Sequence, residues 1–233
     1  MTAENLAAVA RAFADPTRAQ MMVALMDERV WRTPRELAQA AGVAASTATG
    51  HLHVLVGLGL LSERRLGRHR YVRLAGAHVA EVIEAVAALG NRPAAPVRGL
   101  RDASARTALA RGRTCYDHLA GRLGVAITDA LVHQDLLDEE SLGLTAPGEQ
   151  WLTEALETPF RPGRRTRARS CLDWTERRFH LAGAAGAHIS AVFHRREWVR
   201  PVRHSRAVVL TPAGGDALRR LFGEQMVLDW PSG

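Results

Sequence analysis

TPRELAQAAGVAASTATGHLHVLVGLGLL, residues 33–61, runs directly into SERRLGRHRYVRL, residues 62–74, and the two together decide the fold of the first part of the chain. Thr33-Pro34-Arg35-Glu36 is a capping box with proline in the first helical slot, which opens a helix through Leu37 and Ala41. Gly42-Val43 breaks that helix tightly. Ser46 or its neighbours start another, whose Ala48, Leu52, Leu55 and Val56 are predicted to point inward. Two short helices around a glycine-containing turn form the helix-turn-helix signature. Leu58-Gly59-Leu60-Leu61 closes the second helix, and residues 62–74 then read as a β-hairpin with Gly67 near its tip. Five arginines fall within ten residues of that hairpin, at Arg64, Arg65, Arg68, Arg70 and Arg73. A two-stranded ribbon so charged is a wing, able to reach phosphates or a minor groove.

Working outward, Leu6, Val9 and Phe13 lie on one helical face. Asp15-Pro16 is an N-cap followed by proline, opening a helix with a predicted buried stripe of Ala19, Met22, Val23 and Met26. Beyond the hairpin, Val79, Val82, Ile83, Val86 and Leu89 mark a helix that, with the first one, is expected to form a homodimer interface. Ser46, Thr47, Thr49, Gly50, His51 and His53 are the expected DNA contacts on the recognition helix. Arg64, Arg65, Arg68 and Arg70 are those expected on the wing, supplying the salt-dependent part of the affinity. The alternative is a winged helix used for protein interaction or as a structural module. The basic hairpin beside Ser, Thr and His favours double-stranded DNA.

The combination Phe13-Ala-Asp15-Pro16-Thr17-Arg18, Glu36-Leu37-Ala38, Ser46-Thr47-Ala-Thr49-Gly-His51-Leu52 with Leu55, and Gly59-Leu60-Leu61 before a basic hairpin resembles the ArsR/SmtB family of bacterial repressors. The resemblance covers roughly residues 4–90. It implies a dimeric winged helix that blocks transcription until an inducer releases it from an operator. The chain departs from the family at its usual metal sites. Glu36-Leu37-Ala38-Gln39-Ala40-Ala41 carries no thiol, and only His78 lies near the C-terminal dimerisation helix. Gly50 stands where relatives often carry a larger side chain, leaving room for close backbone approach to DNA.

Composition adds bounds. The 233 residues carry 31 Lys+Arg, all of them arginine, against 24 acids, for a formal charge of +7 that points to an anionic partner. Neither half is overwhelmingly basic, so placement of the arginines matters more than their number. The start of the chain carries acids and an arginine among its apolar positions and does not read as a signal peptide. No run reaches the length of a membrane span, and two cysteines are too few for a disulfide scaffold. A cytoplasmic protein with no membrane partner is expected.

Residues 1–90 are read as the DNA-binding and dimerisation domain, and 91–112, with Asn91, Pro93, Pro96 and Gly99, as a linker and connecting helix. Residues 113–233 repeat themselves, in copies at about 113–160 and 169–223. Arg113-Thr-Cys115-Tyr-Asp117-His118-Leu-Ala-Gly121-Arg-Leu-Gly124 has a counterpart in Arg169-Ser-Cys171-Leu-Asp173 with His180-Leu-Ala-Gly183-Ala-Ala-Gly186. Downstream, Leu144-Thr145-Ala-Pro147-Gly148 matches Leu210-Thr211-Pro212-Ala-Gly214. The fold class expected is mainly α with small β-hairpins: a winged helix-turn-helix followed by two tandem helix-hairpin-helix, winged-helix-like units.

Cys115 and His118 are placed one helical turn apart by their spacing, with Cys171 and His180 as their partners in the second copy. Two thiols and two imidazoles would suit a soft metal such as zinc, a Cys or His could ligate haem, or the thiols could answer to oxidants. An organic small molecule bound among Trp151, Trp174, Trp198 and Trp230 is a further option, as is plain packing with no effector. Asp117 and Asp173 are read as helix caps or as partners of Arg113 and Arg169. Arg161-Pro-Gly-Arg164-Arg165-Thr-Arg167-Ala-Arg169 reads as a solvated basic connector or as a source of further phosphate contacts. No phosphate-cradling glycine loop, nucleophile elbow or His-Glu-x-x-His helix appears, so an enzyme is not expected. The function expected is a dimeric repressor released from operator DNA by an effector sensed in the C-terminal domain.

Overall fold

The computed structural model describes residues 2–27, 30–89, 99–203, 205–224 and 226, with backbone alone at 100–102. Asn91, Pro93, Pro96 and Trp230 fall outside the described residues. The chain divides into two compact units, Met1–Ile83 and Glu84–Gly233. Among the described residues no helix is long and apolar enough to cross a membrane.

The first unit is built from α1 (Ala3–Ala14), α2 (Pro16–Ala24), α3 (Pro34–Ala41), α4 (Ala45–Gly57), β1 (Leu61–Leu66), β2 (His69–Leu74) and the first part of α5 (Ala77–Leu89). Local chemistry sets most of the boundaries. Asp15 accepts the Arg18 amide at 2.8 Å and so ends α1 and starts α2. At α3 the capping box is complete: Thr33 accepts from the Glu36 amide, and the Glu36 carboxylate accepts from the Thr33 amide at 2.7 Å. Gly42 then stops α3 at φ +67°, which a side chain would resist. Helix α4 starts at Ala45, beside Ser46, and its N-cap Ala44 offers no side-chain bond. Its start is set by tertiary packing of Ala48, Leu52 and Leu55, all fully buried.

Met21, Met22, Leu25, Met26, Leu37 and Leu74 complete that core. The buried stripe of α2 is therefore rotated from the expected one, with Val23 at the surface. Leu6 on α1 and Val82, Val86 and Leu89 on α5, on the helices expected to form a homodimer interface, are also exposed. Strands β1 and β2 pair in register from Leu61↔Leu74 to Leu66↔His69, around Gly67 at φ +56°. Arg32 extends this ribbon by bonding reciprocally with Val72, at 3.0 and 2.8 Å.

The second unit contains α6 (Leu100–Arg111), β3 (Arg113–Cys115), β4 (His118–Ala120), α7 (Gly121–His133), α8 (Ala146–Glu154), β5 (Arg169–Leu172), β6 (Phe179–Ala182), α9 (Gly183–Arg195), β7 (Val199–Pro201), β8 (Val208–Leu210) and α10 (Pro212–Phe222). Two stretches run through corresponding elements. Each is a short antiparallel hairpin, a 13-residue helix entered through a glycine at positive φ (Gly121 and Gly183), and a second helix capped by threonine. Thr145 and Thr211 cap those second helices by accepting from Gly148 and Gly214, each at 3.0 Å. Between them lies a single bridge, Leu137↔Leu144, in the first stretch and the β7–β8 hairpin in the second. A helix precedes the hairpin only in the first stretch. Pro159, Pro162 and Gly163 occupy the corresponding segment of the second, where they oppose helix formation.

The two stretches share one core rather than holding one each. Leu119, Leu123, Ile127 and Leu131 pack in the same cluster as Leu181, Ile189, Val192, Phe193 and Trp198. Helix α9 packs on β4 and α7 on β6, so each hairpin is covered by the helix of the other stretch. That exchange places β4 beside β6 at the centre of the unit.

Candidate nucleic-acid interface and metal centre

On α4, Ser46, Gly50 and His53 occupy i, i+4 and i+7 and share an exposed face with Thr47 and Thr49, opposite the buried Ala48, Leu52 and Leu55. Thr49 donates its hydroxyl to Ala45 O at 2.9 Å, leaving its oxygen lone pairs for outside partners. His51 is only partly exposed, and its Nδ1 lies 3.7 Å from the Asp15 carboxylate at the start of α2. It is thereby set apart from the outer face.

The wing arginines have three different surroundings. Arg70 donates to Glu63 across the strands, from Nε at 2.9 Å. Arg64 stacks on the Trp31 ring at 4.2 Å, and Arg73 stacks on the same ring at 4.6 Å. Arg65 and Arg68 are exposed and have no side-chain partner among the described residues. Sequence pattern alone gives Trp31 no role beyond packing. The bridge from Arg32 to Val72 carries it to the wing, where it holds two guanidinium groups by cation–π contact.

Gly50 is surrounded by open space: a Cβ there would meet nothing within 4 Å. Packing inside the chain therefore does not require glycine at this position. Gly50→Ala is expected to raise stability by about 1 kcal/mol, the ordinary mid-helix difference, while weakening DNA binding through the added methyl. Denaturant unfolding and duplex titration of the same preparation check both signs.

In the second unit, Cys115, His118, Cys171 and His180 converge. One ligating atom from each lies within 4.8 Å of the others. The sulfurs are 4.0 Å apart and the two Nε2 atoms 3.1 Å apart. All four side chains are buried, His180 completely. The expected helical spacing of Cys115 and His118 does not hold. They are cross-strand partners in β3–β4, as Cys171 and His180 are in β5–β6. Register, not sequence separation, brings each pair together; the six extra residues of the second hairpin add the pair Leu172↔Phe179 and lengthen the turn.

A carboxylate stands behind each histidine. Asp117 Oδ1 lies 2.9 Å from His118 Nδ1, and Asp173 Oδ2 lies 3.5 Å from His180 Nδ1. Asp173 caps α7 from the other stretch, through the amide of its first residue, Gly121. Asp117 is paired with Arg165 of the basic connector, whereas Asp173 is paired with the fully buried Arg113 at 3.0 Å. Asp173 also accepts from the Gly121 amide at 2.6 Å and from the amide and hydroxyl of Thr175. Arg113 is further held by Thr175 at 3.1 Å and stacks on Trp174. In the first stretch it is Arg165 that pairs with the aspartate, at Asp117.

Electrostatics follow from these contacts. Burial pushes the carboxyls of Asp117 and Asp173 upward, but their cationic and hydrogen-bonding partners outweigh it and hold both below the usual range. Burial pulls His118 down, and Asp117 and Cys171 more than reverse that. The contact with the Cys115 thiol lowers Cys171, supported by both histidines against burial. The same contact, with burial, raises Cys115.

Two glycines of the repeated motif find their reason here. A Cβ on Gly124 would lie 2.4 Å from Leu119 O, and one on Gly186 would lie 2.5 Å from Leu181 O. Each glycine lets its helix close over a histidine of the other stretch: Gly124 over His180 and Gly186 over His118. Trp151 and Trp198 are packing elements. Trp198 is buried edge-to-face against Phe193, and Trp151 stacks on Phe222.

The family model described as a bacterial regulatory protein of the arsR family matches residues 15–63. The chain is 36% identical over 220 residues to the uncharacterized HTH-type transcriptional regulator YdfF of Bacillus subtilis, a match covering 93% of this chain and 96% of that one. It is 37% identical over 83 residues to the HTH-type transcriptional regulator CmtR of Mycobacterium tuberculosis, covering 36% of this chain and 69% of that protein. Among solved structures, it is similar to the homodimeric winged helix-turn-helix domain Mb0332 of Mycobacterium bovis, a possible ArsR-family regulator, at 31% identity. That match covers 37% of this chain and 78% of the other, with a TM-score of 0.34.

Proposed function

This chain belongs to the arsR family of bacterial regulatory proteins, and on that premise we propose that it is a homodimeric repressor of double-stranded operator DNA, released by an effector sensed in its second unit. The observation that carries the reading is the pairing of a helix exposing Ser46, Thr47, Thr49, Gly50 and His53 with a wing whose Arg65 and Arg68 are uncommitted. The helix reads base edges in the major groove, and the wing adds phosphate contacts. Arg64, held on Trp31, is a pre-positioned contact, and Arg70 must exchange Glu63 for phosphate. The exposed apolar residues Leu6 on α1 and Val82, Val86 and Leu89 on α5 are assigned to dimerisation.

An effector changes operator affinity only if it binds the DNA-competent and incompetent states unequally. The donor set of the second unit, two sulfurs and two imidazoles, suits a soft metal ion. Haem is a poorer fit, because the ligating atoms face one another with no slot for a macrocycle between them.

Selection of the full chain on a randomised duplex pool, followed by footprinting, tests the reading. The expected product is a two-fold symmetric site with half-sites about 10 base pairs apart. Recovery of no preferred sequence would count against it.

A further inference from the structure

We infer that Cys115, His118, Cys171 and His180 form one closed tetrahedral site for a single zinc-class divalent ion, which joins the two halves of the second unit. The inference rests on the soft-metal reading of these residues but not on operator binding.

Three independent features support it. The first is geometric. Tetrahedral bonds of about 2.3 Å to sulfur and about 2.0 Å to nitrogen imply edges of about 3.8 Å between sulfurs and about 3.3 Å between nitrogens. The observed separations are 4.0 and 3.1 Å.

The second is the orientation of the histidines. Each turns Nδ1 towards an aspartate and Nε2 towards the centre. A ring that gives its Nδ1 proton to a carboxylate presents an Nε2 lone pair, the arrangement of carboxylate–histidine–metal triads. His118 makes that bond to Asp117, whereas His180 Nδ1 lies 3.5 Å from Asp173 without a hydrogen bond; the two Nε2 atoms, 3.1 Å apart, must share either a proton or a metal ion. Asp117 and Asp173 are therefore positioning residues for the ligands.

The third is charge. Two thiolates and a divalent ion sum to zero, and each aspartate behind them already has an arginine. A buried site of this composition leaves no uncompensated charge.

The assignment also says what the metal does. Four protein ligands fill a tetrahedral shell, so no position remains for a reactive water and the site is structural or regulatory. One Cys–His pair comes from each hairpin, so removing the ion unties β3–β4 from β5–β6.

The test uses the full chain purified under reducing conditions, with elemental analysis and anaerobic cobalt titration as the spectroscopic probe. One equivalent per chain is expected, with the intense d–d and thiolate charge-transfer bands of tetrahedral S2N2 cobalt, bleached by added zinc. Cys171→Ser should abolish the charge-transfer bands or weaken them strongly. Asp117→Asn, which keeps all four ligands, should lower metal affinity about 10- to 100-fold with an unchanged circular dichroism spectrum. An octahedral cobalt spectrum, no bound metal, or full affinity in Cys171→Ser would overturn the inference. None of these results bears on operator binding, which is read separately by the duplex titration.

Discussion

Asp173→Asn is expected to destabilise the second unit by about 3–5 kcal/mol, the cost of leaving a buried charge without its partner. The side chain is fully buried and both of its oxygens are committed. One accepts from Gly121 and faces Arg113; the other accepts from Thr175 and Glu176. An asparagine offers one acceptor oxygen, so its amide group must turn N–H bonds towards donors on one side or the other. Arg113, fully buried, is then left facing a neutral group. Urea unfolding followed by tryptophan fluorescence reads this, since four of the five tryptophans lie after residue 84. Asp129→Asn is the control. Its pair with Arg178 is exposed on both sides, and the substitution should cost less than about 1 kcal/mol.

Gly186→Ala should cost about 3 kcal/mol and weaken metal binding together with stability. The new methyl would lie 2.5 Å from a strand carbonyl and 3.2 Å from the Cβ of His118. Neither neighbour can yield without moving β6 or the ligand itself. The same substitution at Gly50 meets open space and is expected to stabilise. Opposite signs for one chemical change, measured by the same denaturant titration, separate a glycine required by packing from one left open towards a partner.

Local signals in the sequence are legible where a single side chain decides the outcome. Asp15-Pro16, the Thr33–Glu36 box, Gly42 and Gly67 start or stop elements where their chemistry requires it. Periodicity marks apolar faces but does not say what covers them. Leu6 and Val86 lie at the surface, and the same spacing serves a face that docks internally and one that docks on a second chain. The Cys115–His118 pair reads as helical because a three-residue spacing fits a helical turn, while the second pair's nine-residue spacing fits none. Both pairs are cross-strand neighbours, a relation visible only once strand register is known. Trp31 escapes sequence reasoning for a similar reason: its stacking with Arg64 and Arg73 depends on a bridge to β2 that no local signal encodes.

The proposed effector site and the proposed DNA-binding surface stand on different residues and can be tested separately. The most direct measurement for the central claim is the salt dependence of duplex binding by the wild type and by Arg65→Ala/Arg68→Ala, followed by fluorescence anisotropy. If these two uncommitted arginines touch phosphates, affinity falls for every duplex, and the slope of log affinity against log salt flattens by about one for each phosphate no longer neutralised. An unchanged slope and affinity in the double variant would contradict the assignment of the wing to DNA.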